Sequence, residues 1–282
     1  MKFTKMQGIG NDYIYLNCLD QIPDHPEELS RIISDRHFGV GSDGLVLICH
    51  SQTADFRMRM FNADGSEAEM CGNAARCVGK YLYDRGLTRK TSVLLETGSG
   101  IRPLELRIRN GRVVSVQVDM GIPELKPEKI PVLADEDSVL HLPGQVDGWS
   151  MNAVCVNMGN PHAVFFIENA ETFPVPVIGP KIEHHPLFPE KVNAEFVSVL
   201  SPEQLRMRVW ERGSGETMAC GTGACAALAA AVLTGRCGRS ADVTLNGGVL
   251  KIHWEENGGH ILQEGPAEFV FDGDFILPET DR

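Results

Sequence analysis

No run of apolar residues in this chain approaches the ~18 needed to cross a bilayer as a helix. The opening stretch, Met1-Lys2-Phe3-Thr4-Lys5-Met6-Gln7-Gly8, lacks the apolar core of a secretory leader. Basic charge is also in short supply: 26 Lys and Arg stand against 38 Asp and Glu, a net charge of −12. That balance argues against nucleic acid and against a membrane surface as partners. It leaves a small molecule open, because a local site can be positive in an acidic protein. A cytoplasmic location is expected, and with it reduced thiols at the eight cysteines, most of them small buried hydrophobes.

Cofactor signatures are equally scarce. No phosphate-cradling P-loop occurs. Gly39-Val40-Gly41-Ser42-Asp43-Gly44 fits G-x-G-x-x-G, but a helical segment precedes it and an apolar strand follows. A dinucleotide fingerprint needs strand then helix, so this stretch reads as a turn. His37, His50, His184 and His185 have no ligand-spaced partner set. In the pairs Cys71/Cys77 and Cys220/Cys225 the second Cys falls inside an apolar helix and reads as core. No metal and no cofactor are expected.

What the sequence does contain is a duplication. Arg57-Met58-Arg59-Met60-Phe61 resembles Arg206-Met207-Arg208-Val209-Trp210, an offset of 149 (206 − 57). The same offset carries Gly10-Asn11 onto Gly159-Asn160, Glu67 onto Glu216, and Cys71-Gly72 onto Cys220-Gly221. Several anchors at one gapless offset point to an internal repeat. The length, 282 residues, fits two domains. The start of the Pro-rich and acidic stretch 121–148 marks the junction. The expected division is 1–120 plus about 266–282 for the first half and 121–265 for the second. The last strand is placed with the first half because chain ends often lie close together.

Each half reads as mostly strand with a central helix. Strands are predicted over 3–18 (broken at Gly8 to Asp12), 45–49, 56–61, 93–96, 101–109 and 113–119. Asn110-Gly111 gives a strong hairpin signal between the last two. Helices are predicted over 26–37 and 73–85. The second half repeats the plan, with strands at 153–157, 163–167, 194–200, 205–210, 243–245, 249–254, 259–264 and 267–272, and helices at 172–184 and 222–233. The fold class is α/β (α+β): two pseudo-symmetric duplicated domains, each an antiparallel, β-barrel-like sheet wrapped around a central helix.

The repeat places Cys71 and Cys220 alike, each after a polar loop and at the start of a helix. A helix N-terminus favours a thiolate over a thiol and also attracts a carboxylate. Two such halves related by a pseudo-twofold axis would set the two thiols on opposite sides of one carbon. One removes a proton and the other delivers one, which inverts a stereocentre by general base and acid catalysis. The N–H groups of Gly72-Asn73 and Gly221-Thr222 would hold an amino-acid carboxylate and stabilise the developing carbanion. The competing reading is that both cysteines are ordinary buried residues.

The motifs Met6-Gln7-Gly8-Ile9-Gly10-Asn11-Asp12, Phe61-Asn62-Ala63-Asp64-Gly65-Ser66, Met70-Cys71-Gly72-Asn73-Ala74-Ala75-Arg76, Met158-Gly159-Asn160-Pro161-His162 and Glu211-Arg212-Gly213-Ser214-Gly215-Glu216-Thr217, with Ala219-Cys220-Gly221-Thr222-Gly223, resemble the diaminopimelate epimerase family over nearly the whole chain. The resemblance implies a homodimer of two-domain chains. It implies interconversion of LL- and meso-2,6-diaminopimelate without pyridoxal phosphate, for lysine and peptidoglycan synthesis. Carried over, Cys71 and Cys220 are the acid and base. Asn11, Asn62, Gly72, Asn73, Asn160, Asn193, Glu211, Arg212, Gly221 and Thr222 bind substrate, and His162 and Glu211 tune the thiols. Taken alone, Glu211 and Arg212 read as a solvated strand end and the Asn residues as turn formers.

Two positions depart from the family pattern. Gly44 stands where many members carry Gln, and Phe271 where some carry Tyr at a dimer contact. The resemblance leaves two alternatives: a proline or hydroxyproline racemase of the same fold, which would not need Asn62, Asn193 and Arg212, and a redox or metal-binding protein using its cysteines.

Overall fold

The computed structural model describes residues 1–135, 139–256 and 259–277. The chain divides into two compact units, one running from Met1 to Val118 and resuming at Gly265, the other from Asp119 to Glu264.

In the first unit the strands are β1 (Lys2–Gly8), β2 (Asn11–Asn17), β3 (Gly44–Cys49), β4 (Phe56–Asn62), β5 (Glu67–Ala68), β6 (Ser92–Thr97), β7 (Gly100–Arg109) and β8 (Arg112–Asp119). The helices are α1 (Pro26–Ser34) and α2 (Gly72–Asp84). The second unit has β9 (Leu142–Val146), β10 (Trp149–Asn157), β11 (Pro161–Phe166), α3 (Val175–Glu183), β12 (Asn193–Ser201), β13 (Gln204–Glu211), β14 (Gly215–Glu216), α4 (Gly221–Leu233), β15 (Ser240–Leu245), β16 (Gly248–Trp254) and β17 (Ile261–Gly265). The last strand, β18 (Glu268–Asp274), returns to β1 of the first unit.

The offset of 149 holds in three dimensions. It carries α1 onto α3 and α2 onto α4, residue for residue at both ends. The pairing order is also the same. The first unit runs β18-β1-β2-β3-β4-β6-β7-β8, and the second β9-β10-β11-β12-β13-β15-β16-β17.

The sheets are mixed rather than wholly antiparallel, as the sequence pattern had suggested. Each unit has two parallel joins, β2–β3 and β4–β6 in the first and β11–β12 and β13–β15 in the second. A helix lies in the chain between the members of each parallel pair, because parallel neighbours need a long crossover. β3 is buried along its whole length, as a strand covered on both faces must be.

Local chemistry accounts for the elements. α1 starts on Pro26, carries Glu27 and Glu28 in its first turn, and buries Leu29 and Ile33. Asn110 and Gly111 both adopt positive φ (53° and 73°) in the β7–β8 hairpin, the two left-handed positions of a type I′ turn. α4 is apolar on every side, and Ala224 to Ala231 are fully buried. α2 packs against β1, β2 and β7; α4 packs against β10, β11, β12, β13, β15 and β16.

Strand β9 lies inside the Pro-rich and acidic stretch 121–148. Its Pro143 hid it, and the structure tolerates that Pro because among the described residues β9 pairs only with β10 and so forms an edge. Phe165 and Phe196 stack at 5.6 Å in the second core, and Phe173 stacks on Phe196 at 4.6 Å. Burying each such ring stabilises the unit by roughly 1.5–3 kcal/mol.

Candidate active site

Cys71 is the N-cap of α2 and Cys220 the N-cap of α4, both with extended backbone (φ −143° and −116°). The first intrahelical bonds run from Ala75 N–H to the Cys71 carbonyl and from Ala224 N–H to the Cys220 carbonyl. The N–H groups of Gly72-Asn73 and Gly221-Thr222 therefore lie ahead of the helical ladder, as orphan donors do.

Asn11 stands beside Cys71. The half-buried thiol donates to Asn11 Oδ1 at 3.5 Å. Asn11 is aimed by its own amide nitrogen, which donates to Asp43 Oδ2 at 2.8 Å. Burial raises the Asp43 carboxyl, while the Asp12 backbone N–H and Arg36 hold it in place. Asn73 is buried, and its Oδ1 accepts from Arg76 Nη2 at 2.7 Å. Arg76 is itself fully buried and reaches the Pro266 carbonyl through Nε at 3.2 Å. Asn62 closes β4, where its amide donates to Ser66 Oγ at 3.0 Å, and it stands opposite Gly44.

A Cβ on Gly44 would sit 2.1 Å from the Phe61 carbonyl oxygen and 2.8 Å from the Tyr13 ring. The backbone here has no room for a side chain. Phe271 lies on β18, half exposed, with its ring edge-on to Phe3 at 5.7 Å.

Around Cys220 the partners are acidic. Its sulfur accepts from Gly223 N–H at 3.4 Å and lies 3.5 Å from Thr222 Oγ1. Burial pushes the Cys220 thiol well above its ordinary range, and the carboxylates of Glu211 and Glu195 push it further. The helix N-terminus was expected to favour a thiolate here. At Cys220 desolvation and two nearby carboxylates outweigh it, so this group is held as a thiol. Burial likewise raises the Glu211 carboxyl, against hydrogen bonds from Thr217 and Cys220.

His162 is fully buried, with Nδ1 2.7 Å from Glu195 Oε1 and Nε2 2.9 Å from Asn160 Oδ1. Asn193 is occupied by backbone: its amide nitrogen donates to the Pro161 carbonyl at 2.8 Å, and its Oδ1 accepts from Arg212 N–H at 2.9 Å. It thereby ties the start of β11 to the end of β13. The exposed Arg212 side chain donates to the Glu190 carbonyl at 3.1 Å. Glu183, at the end of α3, holds the same turn through Trp210 Nε1 (2.7 Å) and Gly213 N–H (3.0 Å).

The two copies thus share a skeleton and differ in charge. Asn11 matches Asn160, Cys71 matches Cys220 and Gly72 matches Gly221. The ion pair Arg59–Glu67 recurs as Arg208–Glu216, both at 2.8 Å. By the same offset, His162 corresponds to Tyr13, Glu195 to Val46, Glu211 to Asn62, Asn193 to Gly44 and Arg212 to Ala63. The carboxylates beside Cys220, Glu195 and Glu211, have no counterpart at the matching positions of the first copy, Val46 and Asn62. Glu195 was missed by sequence reasoning. Its signal was a lone carboxylate in the largely apolar stretch 194–200, read only as a strand.

Solved structures that match over nearly the whole chain define the fold first. A probable proline racemase from Agrobacterium radiobacter covers 99% of this chain with a TM-score of 0.71 at 16% identity. A hydroxyproline epimerase from Agrobacterium vitis covers 97% with a TM-score of 0.70 at 17% identity. A phenazine biosynthesis protein of the PhzF family from Bacillus anthracis covers 99% with a TM-score of 0.70 at 15% identity. At these identities they show the fold alone.

The sequence comparisons are narrower. The diaminopimelate epimerase family model matches residues 3–126 and 154–270. The diaminopimelate epimerase of Acetivibrio thermocellus is 57% identical over 279 residues, covering 99% of this chain and 100% of its own. That of Methanococcus maripaludis strain C5 is 56% identical over 277 residues, covering 98% and 100%. The chain belongs to the diaminopimelate epimerase family, and it is an epimerase. Among the described residues no helix is long and apolar enough to cross a membrane.

Proposed function

We propose that this protein interconverts LL- and meso-2,6-diaminopimelate in the cytoplasm, as a homodimer and without a cofactor, in the synthesis of lysine and peptidoglycan precursors. The observation that carries the two-thiol chemistry is the matched N-cap position of Cys71 and Cys220 on α2 and α4. One sulfur takes the α-proton as thiolate and the other returns a proton as thiol. Cys220, raised by burial and acidic neighbours, is suited to start as the thiol. Cys71, whose thiol donates to Asn11 Oδ1 at 3.5 Å, is assigned the base as the other member of the pair. After one turnover the roles are exchanged, so the reverse reaction uses the same pair.

The N–H groups of Gly72-Asn73 and Gly221-Thr222 receive the reacting carboxylate and stabilise charge as the carbanion forms. Asn11, Asn62, Asn160, Asn193, Glu211 and Arg212 hold the rest of the substrate. Arg212 is suited to the distal carboxylate, since its guanidinium is exposed and, among the described residues, anchored by one backbone bond. His162 and Glu211 tune the thiols.

The test is solvent exchange. Exhaustively dialysed enzyme in D2O should wash deuterium into the α-carbon of diaminopimelate with no added pyridoxal phosphate or metal. Exchange that requires a restored cofactor would overturn the reading, as would exchange into proline and not diaminopimelate.

A further inference from the structure

The reading above uses Glu195 only as one of the acidic neighbours that raise the Cys220 thiol, yet it is an unusual residue. It lies on β12 between Ala194 and Phe196, is wholly buried, and is flanked by β11 and β13. A buried carboxylate without a partner costs several kcal/mol, so such groups are paired or absent. Its one hydrogen-bonding partner among the described residues is His162, through Oε1 at 2.7 Å. Oε2 has none. His162 is also wholly buried, and its other nitrogen faces Asn160 at 2.9 Å.

The first copy contains nothing like this arrangement. Val46 and Tyr13 stand at the corresponding positions. An apolar residue therefore satisfies the fold at this point of the strand. The carboxylate in the second copy is not required by β-pairing, since Glu195 pairs with Val164 and Val209 through backbone alone.

We propose that Glu195 is a positioning residue that keeps His162 protonated at Nδ1 and fixes the plane of its ring, so that Nε2 is the acceptor and takes its hydrogen bond from the Asn160 side-chain amide, turned to present its nitrogen. The physical reason is the acceptor-only character of an ionised carboxylate. At 2.7 Å it demands an N–H from the ring nitrogen it faces, and the bond is charge-assisted. An imidazole held in this way cannot rotate or exchange its Nδ1 proton for the other tautomer without leaving the carboxylate unpaired in the core. A relay of this form, carboxylate to imidazole to the group beyond, sets tautomer and orientation in other acid–base sites. Here it links a buried charge on β12 to Asn160 at the mouth of β11. The catalytic consequence rests on the proposed function; the tautomer does not.

The test separates the two. Nitrogen-15 labelled histidine in the substrate-free protein reports which ring nitrogens of His162 carry protons, by long-range proton–nitrogen correlation. Wild type should show a protonated Nδ1. Glu195→Gln offers an amide that can also donate, so the Nδ1 proton should be lost and the ring should move to the Nε2–H form. In turnover, Glu195→Gln should lower kcat by roughly 10²-fold and change KM little. Glu195→Asp, which keeps an acceptor-only group, should recover part of that loss. A bare Nδ1 in the wild type would overturn the proposal without any assay. So would a Glu195→Gln enzyme with wild-type kcat, or a Glu195→Asp enzyme no better than Glu195→Gln. If diaminopimelate proves not to be the substrate, the labelled-histidine result still decides.

Discussion

Glu195 and Gly223 are fitted to one another. A Cβ on Gly223 would stand 2.7 Å from Glu195 Oε1 and 3.2 Å from the Cys220 sulfur. The first turn of α4 can pass the buried carboxylate only because residue 223 has no side chain. In the first copy the matching residue is Ala74, where Val46 replaces the carboxylate. Gly223→Ala should therefore push Glu195 away from His162 and crowd the thiol. Overpacking of this kind costs about 1–3 kcal/mol. Activity should fall by at least about 10-fold while the far-ultraviolet circular dichroism spectrum is kept. A variant with both wild-type melting temperature and wild-type kcat would show that the carboxylate moves freely.

Arg212 tests the distal end of the substrate. Its side chain makes one backbone contact, to Glu190, and its own N–H is held by Asn193. Arg212→Ala should leave the turn standing, because the backbone bond remains. KM for diaminopimelate should rise about 10-fold or more, and kcat should fall too if remote binding positions the reacting carbon. Unchanged kinetics would remove Arg212 from the site and favour a racemase acting on a smaller substrate.

The repeat made much of this architecture legible. Once Cys71 and Cys220 shared an offset, the helices that follow them, and the pair α1 and α3, came with it. The hairpin at Asn110-Gly111 was legible because only a few dipeptides adopt two positive φ values at low cost. Strand β9 was not, because Pro143 and Gly144 are poor strand formers that an edge tolerates. A Cβ on Gly144 would lie 2.1 Å from the Met151 methyl, a packing constraint that no local pattern reveals. The parallel joins were also hidden, since periodicity reports burial and not strand direction.

At the site, the sequence singled out both thiols but could not say which of them is held as the thiol. A helix N-terminus is visible in a sequence. The carboxylates of Glu195 and Glu211, which come from other strands, are placed beside the sulfur only by the fold.

Buried thiols make a prediction about alkaline stability. Burial raises Cys77 from the ordinary 9.0 to about 11, and Cys155 from the same value to about 12. In the unfolded chain both ionise near their ordinary value. Below that pH both states hold the proton and the thiols contribute their full stabilisation. As pH rises above about 9 the unfolded state releases protons that the folded state keeps, so stability falls, by up to about 1.4 kcal/mol per unit of pH for each thiol. The loss is complete once the folded thiols also ionise. Urea midpoints measured from about pH 8 to about pH 10.5 should decline less steeply in Cys77→Ala and Cys155→Ala than in wild type. Parallel slopes would mean that these thiols do not govern the alkaline limb.

Redox chemistry probes the central geometric demand of the proposed mechanism. Two thiols that serve one carbon from opposite faces must come near each other when the substrate is absent. A disulfide needs Cα atoms within roughly 7 Å. The attacking species is a thiolate, and Cys71 is the one assigned that state; Cys220 is the more protonated partner. Diamide, a two-electron thiol oxidant, should accept both electrons and both protons as the sulfur–sulfur bond forms. Substrate-free enzyme should then lose activity, with Cys71 and Cys220 joined, and recover it on reduction with dithiothreitol. Diaminopimelate should protect by standing between the sulfurs. The other cysteines provide the control: Cys77 and Cys225 are fully buried one or two turns inside their helices and should remain free. Peptide mapping of the oxidised protein decides the matter. Inactive enzyme in which Cys71 and Cys220 both stay reduced, or a bridge through Cys77 or Cys225, would show that the two N-cap sulfurs do not share one substrate carbon.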